Sequence, residues 1–357
     1  MKIKHMTKFA ILALSLVLVA CAGGGSEEAG CPAIDGREIN VVATTPMIGE
    51  FVSQVGGENI NLTVLMPPEA NPHTYEPAPQ DAGTIAEADL VFYTGLLYEP
   101  AALVKLLENS ACSTDILSEV GESVFPIEFK EGGHDDHDDH DDHDDEEGHD
   151  DHDDEEGHDD HDDEEGHDDE EGHDDHEGHN HGAYDPHFWF DPSRVAYAAE
   201  YIESRLIQFD PENESSYKSS ADSFVSELND LTKQVSELIS TVPSQNRKLI
   251  TTHESLGYLE AKFGLEVLST IIPSLNSANE ISPSDLAGVI DVIEDNNVKV
   301  IFIESEAPSV YSETIVAETG IKPVTGLYVE TLKPGQSYSE FLISNVKLIT
   351  ENLQDTD

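Results

Sequence analysis

The chain has 357 residues, with 75 acidic against 17 basic side chains and a formal net charge of −58. That length fits two ordinary domains or one large two-lobed body, and so negative a chain excludes nucleic acid as the partner, because phosphates demand Lys/Arg stripes. The charge is uneven: residues 131–181 hold 30 of the acidic residues, 13 of the 17 histidines and no Lys or Arg, while the rest has enough Val, Ile, Leu and aromatics for a core.

Lys2, Lys4 and Lys8 precede a 12-residue apolar run from Phe9 to Ala20. A membrane-spanning helix needs roughly 20 residues, so the run suits a secretory leader, residues 1–20. It ends in Leu18-Val19-Ala20-Cys21, which resembles the bacterial lipobox, with Cys21 the acylated residue. Residues 21–37, with Gly23-Gly24-Gly25-Ser26, read as a flexible tether. The body therefore sits outside the cytoplasmic membrane. Cys31 and Cys112 remain; an oxidising compartment permits a disulfide between them, but their spacing leaves open whether they meet.

Apolar runs at Ile39–Ala43, Leu62–Met66 and Leu90–Tyr93 predict buried strands, separated by helices at Pro46–Val55, Asp81–Ala88 and Glu99–Glu108. Continuous apolar strands alternating with helices indicate a parallel sheet. The block 131–181 then repeats Gly-His-Asp-Asp-His-Asp-Asp-Glu-Glu units. It has nothing to bury and is expected to be disordered without metal. Asp191-Pro192 opens a helix, and Asp210-Pro211 another. In the latter Tyr217, Ala221, Phe224, Leu228, Leu231, Val235 and Leu238 form one apolar stripe. At 1.5 Å per residue this helix spans roughly 45 Å, a strut between two lobes. A second series follows, with strands at Leu249–Thr252, Glu266–Leu268, Val300–Ile303 and Pro323–Val324. Its helices are predicted at Leu256–Phe263, Pro283–Glu294, Val310–Thr319 and Tyr338–Leu353. The fold class is thus α/β: two lobes, each a parallel sheet flanked by helices, joined by a long α-helix. The expected division is a first lobe over 38–208, a linking helix over 209–242 and a second lobe over 243–357. A ligand belongs in the cleft at the carboxyl ends of the strands.

Outside the leader and the block only His73, His187 and His253 occur. Each falls in a loop at the end of a strand or the start of a helix. Three imidazoles at such loops point to metal, although no compact spacing motif such as HExxH joins them.

The chain resembles the metal-binding lipoproteins of zinc/manganese ABC importers, the cluster A-I solute-binding family. The resemblance rests on Val42-Ala43-Thr44-Thr45-Pro46, Asn71-Pro72-His73-Thr74-Tyr75-Glu76-Pro77 and Ala88-Asp89-Leu90-Val91-Phe92. It continues in Asp185-Pro186-His187-Phe188-Trp189-Phe190-Asp191-Pro192, Thr252-His253 and Ser337-Tyr338-Ser339-Glu340-Phe341. It implies a metal between the lobes, held by His73 and His187 from the first and His253 from the second. The fourth family ligand is usually Asp; Leu327-Tyr328-Val329-Glu330-Thr331-Leu332 places Glu330 there, one methylene longer. A histidine-rich acidic loop before the second ligand is similar to the zinc branch.

Three imidazoles and a carboxylate suit tetrahedral Zn²⁺, whereas Mn²⁺ prefers more oxygen. Glu254, Asp185 and Asp191 are candidates to orient the imidazoles. Phe188 and Trp189 either shield the site or simply pack the core. The block offers weak auxiliary sites at His134, His137, His140, His143, His149, His152, His158, His161, His167, His173, His176, His179 and His181.

The expected function is therefore a non-enzymatic, monomeric, lipid-anchored extracytoplasmic receptor. It captures Zn²⁺ as cargo and delivers it to the membrane permease of an ABC importer. Rival readings are a manganese or iron(II) receptor, a surface zinc hydrolase with Glu254 or Glu304 as base, and a metal buffer or adhesin.

Overall fold

The computed structural model describes residues 31, 34, 36–129, 184–276, 279–306 and 310–354. The apolar leader, Cys21 and the histidine-rich block 131–181 lie outside these described residues.

The first half builds a four-stranded parallel sheet from β1 (Ile39–Ala43), β2 (Ile60–Val64), β3 (Leu90–Tyr93) and β4 (Leu117–Glu119), in the order β2-β1-β3-β4. Val42 pairs with Thr63 on one side and Val91 on the other. The second half repeats this arrangement with β5 (Lys248–His253), β6 (Glu266–Ile272), β7 (Val300–Glu304) and β8 (Lys322–Leu327), in the order β6-β5-β7-β8. In both sheets the chain reverses direction of winding beside the first strand, which opens a crevice at the carboxyl edge.

Local chemistry sets the helices on the first sheet. Thr45 caps α1 (Pro46–Gly56) by accepting from Ile48 N at 3.2 Å, and Pro46 fills the first position, where no N–H is needed. Asp191 caps α4 (Pro192–Phe209) in the same way, through Ser193 N at 2.9 Å. Between them lie α2 (Pro79–Ala86) and α3 (Ala101–Ser110). The long helix α5 runs over Glu214–Ser240, 27 residues and so about 40 Å. It starts three residues later than Pro211 suggests, after one 3-10 turn at Pro211–Asn213. There Asp210 accepts from Asn213 Nδ2 at 2.7 Å and from Tyr217 Oη at 2.6 Å. Helices α6 (Gly257–Phe263), α7 (Pro283–Asp295), α8 (Val310–Thr319) and α9 (Tyr338–Gln354) flank the second sheet.

The apolar stripe of α5 joins the halves. Tyr217, Ala221, Phe224, Leu228, Leu231 and Val235 are buried as expected, but the last step is four residues, to Ile239, and Leu238 is only half-buried. One hydrophobic core runs from β1, α1 and α4 through α5 to Leu249, Phe302, Phe341 and Val346 of the second half. Each fully buried Leu, Val or Phe along it stabilises the fold by about 1.5–3 kcal/mol, so the lobes share one interior.

Four further features differ from or complete the sequence picture. Pairing of β2 starts at Ile60 opposite Ile39, two residues before the apolar run 62–66, and Met66 packs instead into a second core with Val42, Ile85 and Val91. The edge strand β4, Leu-Ser-Glu, has too short an apolar run to be read in advance. Cys31 and Cys112 form a disulfide, with Cα atoms 5.1 Å apart. Finally, Glu128 and Tyr184 pair in an antiparallel bridge, and Asp185 N donates to Ile127 O at 3.0 Å. The described residues on either side of 130–183 therefore lie side by side, with Tyr184 three residues before His187.

Candidate metal centre

Four segments meet at the carboxyl edges of the two sheets. Asn71 caps a single 3-10 turn, Pro72–Thr74, by accepting from His73 N at 2.9 Å, and thereby presents the His73 ring. The turn Phe188–Phe190, just before α4, carries His187 at its start. His253 is the last residue of β5, and Glu330 lies in the segment after β8.

The structure brings all four expected residues together. Each of His73, His187, His253 and Glu330 offers one ligand atom such that these atoms lie within 4.8 Å of one another. Glu330 Oε1 is 3.0 Å from His73 Nε2 and 2.9 Å from His253 Nε2; Oε2 is 3.5 Å from His187 Nε2. The extra methylene of Glu is therefore absorbed, and the carboxylate reaches the imidazoles directly. Nε2 of His187 and of His253 are buried without an aligned hydrogen bond, despite the nearby carboxylate.

The opposite ring nitrogens are held. His187 Nδ1 faces Asp185 Oδ1 at 2.8 Å, and the same oxygen accepts from His187 N at 2.8 Å. His253 Nδ1 faces Glu304 Oε2 at 2.5 Å, while Glu304 Oε1 accepts from His253 N at 3.2 Å and from Ser255 Oγ at 3.2 Å. A carboxylate on Nδ1 fixes the ring with Nε2 turned inward. Of the three orienting carboxylates expected, only Asp185 performs that task. Asp191 is spent on capping α4, and Glu254 accepts from Thr270 Oγ1 at 3.0 Å. Glu304, the partner of His253, is 51 residues away in the chain, so neighbourhood in sequence could not reveal it.

Charge reinforces the cluster. Burial opposes ionisation of Glu330, yet His73, His187 and His253 hold its carboxyl well below the usual range. Burial likewise disfavours the cationic form of His187, but Glu330 and Asp185 outweigh it and push the pKa up to about 9. His253 is raised well above its ordinary value, by Glu304 and Glu330 against burial. Glu330 and the rings of His187 and His253 thus favour one another's charged forms.

Trp189 borders the cluster, whereas Phe188 packs on Phe51 and Phe190 on Phe341 in the core. Phe188, Trp189 and Phe190 are fully buried, and the Trp189 ring stands edge-on to His187 at 5.5 Å. Trp189 Nε1 donates to Val329 O at 2.8 Å, and Tyr98 Oη to Glu330 Oε2 at 3.0 Å, so hydrogen bonds tie the first half to the loop carrying Glu330. Tyr98 is a further residue that the sequence did not single out, because a lone Tyr after a strand carries no signal.

The sequence model of the family described as zinc-uptake complex component A, periplasmic (ZnuA), matches residues 41–352. The chain belongs to this family. The manganese ABC transporter substrate-binding lipoprotein PsaA of Streptococcus anginosus is 25% identical over 98% of this chain and 99% of its own. Among solved structures, the periplasmic zinc binding protein TroA from Treponema pallidum is similar at a TM-score of 0.69 and 19% identity, covering 88% of this chain and 99% of that one. Fe(III)-bound YtgA from Chlamydia trachomatis is similar at 0.68 and 23%, over 88% and 98%. Members of the ZnuA family are binding components of transport systems rather than enzymes. In this ZnuA-family chain the two carboxylates that the hydrolase reading would need as bases are engaged, Glu304 on His253 and Glu254 on Thr270.

Proposed function

We propose that the protein captures Zn²⁺ between its two halves through His73, His187, His253 and Glu330, and delivers it as cargo to the permease of an ABC importer. The observation that carries this reading is the convergence of three buried imidazoles and one buried carboxylate, two of the rings braced from behind by Asp185 and Glu304. Three nitrogens and one oxygen match the tetrahedral preference of Zn²⁺, and rigid bracing lowers the cost of assembling the ligands. The third imidazole, His253, keeps the donor set rich in nitrogen, whereas Mn²⁺ prefers more oxygen.

Residues around Cys21 and the lipoprotein names of relatives support anchoring to the outer face of a cytoplasmic membrane through an acylated Cys21. Among the described residues no helix is long and apolar enough to cross a membrane. The histidines of block 131–181 supply weaker, exchanging sites that gather metal near the centre. The shared core along α5 restricts opening to small shifts, so release follows when the permease draws the Glu330 loop away from the histidines of the first half.

A second reading, a manganese or iron(II) receptor of the same architecture, is supported by relatives named for manganese and by a structure named for bound iron. Competition between Zn²⁺ and Mn²⁺ at buffered free concentrations decides between them. The zinc reading expects Zn²⁺ to occupy the centre at equal activity; preferential Mn²⁺ occupancy overturns it.

A further inference from the structure

The Glu330 carboxylate is shared between two neighbourhoods. Oε1 sits against His73 and His253 at 2.9–3.0 Å, whereas Oε2, 3.5 Å from His187 Nε2, accepts the phenol proton of Tyr98 at 3.0 Å. The same hydroxyl is 3.0 Å from the backbone oxygen of Glu330, so it grips one residue at both ends. We propose that Tyr98 is a positioning residue that sets metal specificity, by holding Oε2 so that Glu330 gives the metal one oxygen rather than two. The proposal rests on the metal-capture reading and adds to it what keeps the donor set at four.

A carboxylate binds through one oxygen or both, and a two-oxygen mode requires the group to turn until both are equidistant from the cation. Tyr98 opposes that turn. With one oxygen the set stays three nitrogens and one oxygen, which favours Zn²⁺; with two it gains the oxygen and the higher coordination number that Mn²⁺ prefers.

The backbone that delivers Tyr98 is built for placement. Gly95, Leu96 and Leu97 all have left-handed φ values, 76°, 53° and 61°, a run that two side-chain-bearing residues adopt only where their surroundings enforce it. Two carboxylates enforce it here. Glu99 accepts from Thr94 N at 2.7 Å, Gly95 N at 2.9 Å and Thr44 Oγ1 at 2.7 Å; Glu119 accepts from Leu96 N at 2.8 Å. The Tyr98 ring is itself wedged edge-on against His73 at 5.0 Å, His187 at 5.8 Å and Trp189 at 5.2 Å. Its hydroxyl has nowhere to swing.

The test compares the full chain with its Tyr98→Phe variant, each given one equivalent of Co²⁺ as a spectroscopic substitute, alongside buffered Zn²⁺/Mn²⁺ competition. Wild-type protein is expected to show the intense visible bands of four-coordinate Co²⁺. In Tyr98→Phe those bands weaken towards a higher coordination number, and the preference for Zn²⁺ over Mn²⁺ falls by about tenfold or more. Weak bands in the wild type itself overturn the proposal without recourse to the variant. So do an unchanged spectrum and ratio in Tyr98→Phe, or an equal loss of both metals, which is the outcome of a merely structural role. A Glu330→Gln control separates the two claims: if it retains wild-type Zn²⁺ affinity, the capture reading has failed rather than the role of Tyr98.

Discussion

Glu304 holds His253 twice, its Oε1 accepting the backbone N–H at 3.2 Å and its Oε2 lying 2.5 Å from the ring Nδ1. The two residues end neighbouring strands, β5 and β7, so the sheet itself sets their separation. Glu304 N in turn donates to Thr252 Oγ1 at 3.0 Å, which locks the pair from the other side. His253 is thus aimed by the paired ends of two central strands of the second sheet.

Replacing that carboxylate by an amide keeps the shape and a hydrogen bond but removes the charge that raises ligand basicity. Glu304→Gln is therefore expected to weaken Zn²⁺ binding by about 10–100-fold while the metal-free protein still unfolds cooperatively. Asp185→Asn is expected to behave alike through His187. Chelator competition measures both, and unchanged affinity in both variants contradicts the bracing role.

Metal binding should release protons. In the metal-free protein the His187 pKa is pushed up to about 9 and that of His253 well above its ordinary value, yet both must be neutral to donate to a cation. Affinity consequently rises with pH between 6 and 8, by about one decade per unit for each proton displaced. Calorimetry in buffers of differing ionisation heat reads that release directly, and an affinity independent of pH would sink the charge picture.

The same shift has a stability consequence of the opposite sense. A histidine raised from 6.5 to about 9 stabilises the metal-free fold below pH 6.5, and this contribution is lost as pH rises through about 9. Across that window the thermal midpoint of the metal-free protein is expected to lose the His187 contribution while the increment on adding Zn²⁺ grows. Differential scanning calorimetry at pH 6.5 and 9 checks both halves of the statement.

Much of the fold was legible because it rests on apolar periodicity. Ile39–Ala43 and Leu90–Tyr93 are buried runs between turn residues, and the 4-3 spacing from Tyr217 to Val235 describes a helix stripe whatever the partner. The stripe misled only at its end, where Leu238 and Ile239 are both apolar and tertiary packing chose the second. The histidines stood out by rarity once the block was set aside. Glu330 did not: one carboxylate among 75 acidic residues is invisible without the family pattern. Glu304 and Tyr98 were hidden for a different reason, since their roles arise only when strands distant in sequence become neighbours.

Those neighbours depend on α5. Leu231→Ala, at the centre of its buried stripe, is expected to cost about 2–5 kcal/mol in denaturant unfolding. Leu238→Ala should cost less than half as much as Ile239→Ala, since only the latter side chain is fully enclosed. Equal losses at 238 and 239 would place the stripe on the wrong face.

X-ray absorption at the zinc edge is the most direct measurement, on protein lacking residues 131–181 and loaded with one equivalent of Zn²⁺. A first shell of three imidazole nitrogens at about 2.0–2.1 Å and one oxygen, reduced to no tight binding when His73, His187 and His253 are replaced by Ala, is the predicted result. A shell with fewer than three imidazoles, or tight binding that disappears with the block alone, contradicts it.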